Sequence, residues 1–192
     1  MMVRLLPVGM MTAMLMVAGC AGGGATSMGK TVGEPPAIIV NSEFVGSRGE
    51  VLGSIQVTQE REGARFVATV TGLPPGTYGV HLHEFGRCDW PGFASSGGHF
   101  NPTNRQHGHL NPAGEHAGDL PNLVVGDDRR GVMDVVRPGL RLADGDAPLL
   151  DLNGASMMIH AAPDDYKTDP TGNSGARIAC AILARQRTPA DM

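Results

Sequence analysis

Apolar and polar residues alternate one by one over several short stretches of the chain. In residues 65–71, Arg-Phe-Val-Ala-Thr-Val-Thr, the alternation puts Phe66, Ala68 and Val70 on one face, the period of two expected of a half-buried strand. Residues 51–58 alternate more weakly. Leu73-Pro74-Pro75-Gly76 reads as a turn. Residues 77–84 then resume the period, with Tyr78, Val80 and Leu82 on one face and His81 and His83 on the other. A strand here fills the core with its first face and holds two imidazoles on a rigid surface with its second. Residues 120–136 predict strand, polar turn, strand, ended by Arg137-Pro138-Gly139. Two more strands are expected at 155–162 and 176–183, the last with Ile178, Cys180 and Ile182 opposite Arg177.

Two long stretches, 86–119 and 163–175, show no period and are filled with Gly, Pro, Asn, Asp and Ser. A structureless loop of that length in a compact domain is generally functional or disordered. The composition agrees with short strands joined by turns: 28 Gly, 14 Pro and only 4% aromatics in 192 residues. The expected class is all-β, one domain with a real core. No internal repeat is visible, although His99-Phe100-Asn101-Pro102 and His109-Leu110-Asn111-Pro112 echo one another.

The start of the chain is different. Residues 1–19 carry one early cation, Arg4, before an apolar run that ends in small residues, the pattern of an export signal rather than a spanning helix. Val17-Ala18-Gly19-Cys20 resembles the lipobox of bacterial lipoproteins, which implies cleavage before Cys20 and a lipid on its sulfur. The alternative is ordinary cleavage near Ala18 or Ala21, leaving a free thiol. Six of the methionines, at 1, 2, 10, 11, 14 and 16, lie in this segment and are signal hydrophobes rather than a thioether metal site. Residues 20–37 then read as a Gly-rich flexible tether with a reach of roughly 20 Å, and 186–192 as a fraying tail. The domain is expected over 38–185. Loss of residues 1–19 removes Arg4 and moves the net charge from −4 to −5. An acidic chain makes nucleic acid an unsuitable partner. Export also favours pairing of the two remaining cysteines, Cys88 and Cys180, over two buried free thiols.

Six of the seven histidines fall between residues 81 and 116: His81, His83, His99, His107, His109 and His116, with His160 apart. Imidazole is the commonest protein ligand for copper and zinc. His99, His107, His116 and Asp119 offer three nitrogens and a carboxylate, a set that suits closed tetrahedral zinc. Coordination would order a loop that apolar burial cannot. Loose surface binding is the bland alternative, but the spacings are structured rather than runs.

Four segments together carry a resemblance: Gly79-Val80-His81-Leu82-His83-Glu84, Gly98-His99-Phe100-Asn101-Pro102, His116-Ala117-Gly118-Asp119-Leu120 and Gly172-Asn173-Ser174-Gly175-Ala176-Arg177-Ile178-Ala179-Cys180. In this order they resemble copper/zinc superoxide dismutase, over about residues 38–184. The resemblance implies a Greek-key β-sandwich or flattened barrel with long metal-binding and channel loops. It implies one copper per subunit on His81, His83, His99 and His160, and one zinc on His99, His107, His116 and Asp119, so that His99 bridges the two. It places Asp164 behind the metals between His81 and His107, with Asp165 as the competing neighbour, and Arg177 at the channel rim. It also implies the Cys88–Cys180 disulfide. The substrate would be superoxide, turned over with His99 as proton carrier and Arg177 as anion guide, in the periplasm beside a membrane reached only through the lipid on Cys20. A homodimer is compatible with the family. His109 has no ligand role in the pattern and is expected at the surface. Lys167 is either a second attracting charge or an ordinary surface lysine. The rivals are a copper or zinc carrier on the same scaffold, a copper-only dismutase, and a plain adhesion sandwich.

Overall fold

The computed structural model describes residues 39–185; the export signal, Cys20, the tether and the tail lie outside the described residues. Nine antiparallel strands make a single sheet: β1 (Ile39–Gly46), β2 (Val51–Gln59), β3 (Gly63–Thr71), β4 (Gly76–Tyr78), β5 (Val80–His83), β6 (Leu123–Val125), β7 (Arg130–Pro138), β8 (Ala155–His160) and β9 (Arg177–Leu183). Their order across the sheet is β4-β6-β7-β3-β2-β1-β9-β8-β5. The jumps β3 to β4, β5 to β6 and β7 to β8 are the long crossings of a Greek key. Among the described residues the only helical element is one 3-10 turn, Ala94–Ser96. The all-β expectation is borne out.

Period two explains the strands and the core. In β3, Ala64, Phe66, Ala68 and Val70 are buried while Arg65 and Thr71 are exposed. They pack with Phe44, Ile55, Val57, Val80, Leu82, Met157 and Ile159 from neighbouring strands into one apolar core. β1 had no clear alternation in the sequence because two of its inward positions are small: Val40 and Phe44 are buried, but Ser42 and Gly46 share their face. Four leucines of the connection after β7, Leu140, Leu142, Leu149 and Leu150, are also buried. They cap the core although no strand holds them.

One departure from the sequence expectation organises the molecule. Residues 77–84 form two strands rather than one, broken at Gly79. β4 pairs with β6, and β5 pairs with β8, so two consecutive strands stand at opposite ends of the strand order. The Gly79 N–H donates to Ala162 O at 2.8 Å, and a Cβ there would lie 2.6 Å from Ser174 Oγ. Only a residue without a side chain passes this point. The segment before β6 then completes the closure, with Leu120 N–H donating to Val80 O and Leu82 N–H to Gly118 O. The sheet is a nearly closed, flattened barrel.

A disulfide joins Cys88, in the loop after β5, to Cys180 in β9. It packs with Phe93 and Met158 in a small apolar cluster separate from the core. The bond spans 92 residues, and a closure of this length is worth up to about 4–5 kcal/mol in the chain-entropy account. Replacing both residues, Cys88→Ser with Cys180→Ser, should lower the unfolding free energy of the metal-free protein by about 3–5 kcal/mol, read from urea denaturation. A loss below about 1 kcal/mol would show that the loop is held by its hydrogen bonds alone.

Candidate metal centre

His81 and His83 project from β5 on the face opposite Val80 and Leu82, outside the barrel core. Both are nevertheless fully buried, because two loops fold over them. The first loop docks on the backbone of β5. Leu82, between the two histidines, donates to Gly118 O at 2.9 Å and accepts from Phe100 N–H at 2.8 Å. Isolated bridges pair His81 with Asp119 and His83 with His99. Gly118 is required for this approach, since a Cβ there would lie 2.5 Å from Leu82 O. His160 arrives at the end of β8, opposite Arg177 in the β8–β9 ladder.

Two clusters result. The ligand-type atoms of His81, His83, His99 and His160 all lie within 4.8 Å of one another, as do those of His81, His99, His107 and Asp119. His116 joins the second region: its Nδ1 is 3.3 Å from His99 Nδ1 and 3.2 Å from Asp119 Oδ1. Asp119 Oδ1 is also 3.2 Å from His99 Nδ1 and 3.0 Å from His107 Nδ1. His99 lies between the regions, with its ring centroid 3.9 Å from that of His81 and 5.4 Å from that of His116.

The hydrogen-bond accounts of these rings are incomplete in a patterned way. His81 Nδ1, His83 Nε2, His99 Nε2 and His160 Nε2 are buried without a partner among the described residues, while His107 Nδ1 faces Asp119 Oδ1 at 3.0 Å. An unpaired buried polar atom costs about 1–3 kcal/mol, and such atoms are rare. Their opposite nitrogens are satisfied. His81 Nε2 and His107 Nε2 each stand 2.9 Å from one oxygen of Asp164. His83 Nδ1 bonds Gly97 O at 3.0 Å, and His160 Nδ1 bonds Gly175 O at 3.3 Å. The His81, His83 and His160 rings are therefore oriented from behind and leave a lone pair facing inward. The edges of the second region, 3.0–3.3 Å, match the edge of about 3.3 Å of a tetrahedron whose ligands stand about 2.0 Å from zinc.

Burial holds the His83, His99 and His160 imidazoles down at about 2, about 4 and about 3, with charged neighbours adding to it at His83 and His160 and the Asp119 carboxylate opposing it at His99; burial also lowers His81, against the pull of Asp164. These rings stay neutral at neutral pH, so one nitrogen of each remains unprotonated, as metal ligation requires. His107 goes the other way. Burial opposes its proton, but the carboxylates of Asp119 and Asp164 outweigh burial and push it up to about 9. Burial likewise raises Asp119 and Asp164, yet hydrogen bonds from the surrounding histidines and backbone N–H groups hold both well below the usual carboxylate range.

Several contributing residues carried no signal in the sequence. Asn122 fixes Asp164 from both sides, donating to its carbonyl at 3.0 Å and accepting from its N–H at 2.8 Å. Asp169 accepts from the His107 N–H at 2.6 Å. Arg137 reaches back from β7 to the carbonyls of His116 and Ala117 at 2.9 and 3.1 Å, and pairs with Glu115 at 2.8 Å. None of these bonds follows from a local pattern, because each joins residues far apart in sequence or on different elements. Arg177 lines a surface depression of ≈ 530 Å³ with Pro91, Gly92, Ala94, Gly175 and Ala176. Lys167 does not line it; its carbonyl instead accepts from the Asn111 side chain. His109 is exposed and packs tilted against Tyr166, with ring centroids 4.4 Å apart, outside both clusters.

The family model described as copper/zinc superoxide dismutase matches residues 51–183. The chain belongs to that family. A superoxide dismutase [Cu-Zn] from Aquifex aeolicus is 40% identical over 145 residues, covering 74% of this chain and 85% of the relative. The superoxide dismutase-like protein YojM of Bacillus subtilis is 43% identical over 159 residues, covering 80% of each. Among solved structures, a SOD-like protein from Bacillus subtilis has a TM-score of 0.72 at 41% identity, covering 74% of this chain and 97% of that one. The Cu/Zn superoxide dismutase from Brucella abortus has a TM-score of 0.61 at 30% identity, covering 76% and 99%. The protein is thus a superoxide dismutase whose cofactors are copper and zinc.

The histidine shifts set the pH dependence of the metal-free fold. His83, His99 and His160 bind protons near 6.5 when unfolded but not when folded, so the stability they contribute is lost as pH falls below about 6.5. His107 contributes stability below about 6.5 that is lost as pH rises through about 9. The melting temperature of the metal-free protein should peak near pH 6.5 and fall on both sides, more steeply on the acid side where several groups act together. A melting temperature still climbing from pH 7 to 9 would contradict the raised His107.

Proposed function

We propose that His81, His83, His99 and His160 hold copper, that His99, His107, His116 and Asp119 hold zinc, and that His99 serves both. The observation that carries this reading is the set of inward-facing, unpartnered nitrogens. Grouping by distance alone would put His81 in the zinc set in place of His116. Bonding favours His116: the Nε2 of His81 is held by Asp164, leaving a single nitrogen, which the copper set needs. His116 Nδ1 stands within 3.3 Å of both His99 and Asp119.

Bound copper supplies one-electron exchange, and zinc supplies a fixed positive charge without redox chemistry. The overall reaction takes two superoxide anions and two protons to oxygen and hydrogen peroxide. The chain's own part is to guide the anion and deliver protons. Arg177 presents a cation at the mouth of the depression, concentrating a small anion against a net-negative chain. His99 Nε2 takes up a proton and gives it to the departing product. Asp164 holds the Nε2 of both His81 and His107, so that their Nδ1 atoms face inward. A guanidinium at the mouth favours turnover over mere metal carriage, because a carrier has no anion to attract.

In the cell the enzyme acts in the envelope. The leader of residues 1–19 exports it, and a lipid on Cys20 anchors it in the periplasm, where it removes superoxide that reaches the envelope.

Metal analysis of the purified protein should give about one copper and one zinc per chain. Chelation should abolish superoxide decay, and restoration should need copper, zinc alone being inactive; full metal content without turnover would turn the reading into a carrier. Mass spectrometry of the membrane fraction should find diacylglycerol on Cys20, and Cys20→Ser should release the protein in soluble form. A soluble protein beginning near Ala21 would refute the anchor.

A further inference from the structure

Arg177 has five N–H donors, and the loop between the disulfide and His99 takes three of them. Nη1 donates to Phe93 O at 2.8 Å and to Ser96 Oγ at 2.9 Å, and Nη2 donates to Gly97 O at 2.7 Å. The Nε–H and one Nη2–H remain without a partner among the described residues. The Nε–H and one of the two Nη2 hydrogens share one edge of the guanidinium, the edge whose geometry fits two oxygens of an anion.

Ser96 decides which edge is left. It is completely buried. Its hydroxyl hydrogen is committed to Phe93 O at 2.9 Å, so toward Nη1 the oxygen can only accept. The same oxygen sits 3.5 Å from His83 Nδ1, too far for a strong bond. The His83 ring instead uses Gly97 O, which also accepts from Arg177. Ser96 therefore stands between a proposed copper ligand and the mouth guanidinium, and its strong contact is with the guanidinium.

We propose that Ser96 is a positioning residue for anion capture. By saturating Nη1 it locks the guanidinium so that only the Nε/Nη2 edge is available to the diatomic substrate. Without the hydroxyl, Nη1 keeps a bare N–H, and the guanidinium turns to satisfy it with water or with the anion itself. This rests on the reading of Arg177 as the anion guide beside a copper site.

The test is azide titration of the copper- and zinc-loaded enzyme, followed by the Cu(II) electron paramagnetic resonance spectrum, in four proteins: wild type, Ser96→Ala, Arg177→Ala and the double variant. Ser96→Ala should weaken azide binding about three- to tenfold, the range of one hydrogen bond, with metal content and the anion-free spectrum unchanged. In the Arg177→Ala background the same change should have no effect, since the group it positions is gone. Equal weakening in both backgrounds, or an altered anion-free spectrum, would make Ser96 a prop for His83 and overturn the proposal. An unaffected Ser96→Ala beside a weakened Arg177→Ala would also overturn it while leaving Arg177 in its role. An unaffected Arg177→Ala would instead overturn the guide reading on which it rests.

Discussion

The structure depends on one electrostatic condition: a group of dry imidazoles whose lone pairs point at each other. Neutral nitrogens packed this closely offer no donor to one another, and burial prevents most of them from taking a proton. The outer bonds to Asp164, Gly97 and Gly175 fix the rings in this arrangement. Such an arrangement is costly for the bare polypeptide and favourable around cations. His99 is the most constrained ring. It sits between both clusters, with Nδ1 toward Asp119 and Nε2 unpaired.

The barrel provides rigidity at three points only: His81 and His83 on β5, His160 at the end of β8, and Arg177 at the start of β9. The remaining groups come from loops with little apolar content. These loops are ordered by long-range ties instead: Leu82 to Gly118 and Phe100, Arg137 to the carbonyls of His116 and Ala117, Asn122 to Asp164, and the disulfide from Cys88 to β9. Asp164 joins the second loop to the first through His107 and to β5 through His81, so the second loop cannot shift without disturbing both rings.

Much of this was legible in the residues. Alternation located β3 and β5, because each has apolar side chains at every second position. β8 showed itself as a continuous apolar run and is buried throughout, while β9 turns Ala179, Ala181 and Leu183 to the core and leaves Ile182 exposed. Alternation placed His81 and His83 on the face away from the core, where the structure has them. It failed for β1, whose inward face includes Ser42 and Gly46, and it merged β4 with β5, because Gly79 interrupts the pairing without interrupting the alternation. The ligand-type side chains could be listed from residue type and from the family resemblance. Asn122, Asp169, Arg137 and Ser96 could not, since their contacts are set by tertiary approach and by backbone carbonyls, which leave no trace in a single sequence.

The docking of the first loop on β5 has a consequence for solution behaviour. β5 ends the strand order, and much of its free side is covered by loop backbone around Gly118 and Phe100 rather than by another strand. If that cover lifts, the amide and carbonyl of Leu82 become an open ladder rung, the feature by which β proteins recruit foreign strands. The cover is tied down at residues 99, 116 and 119, so any ion seated there acts at the same time as a guard against self-association. Colloidal durability and cofactor occupancy are, in this chain, properties of one loop.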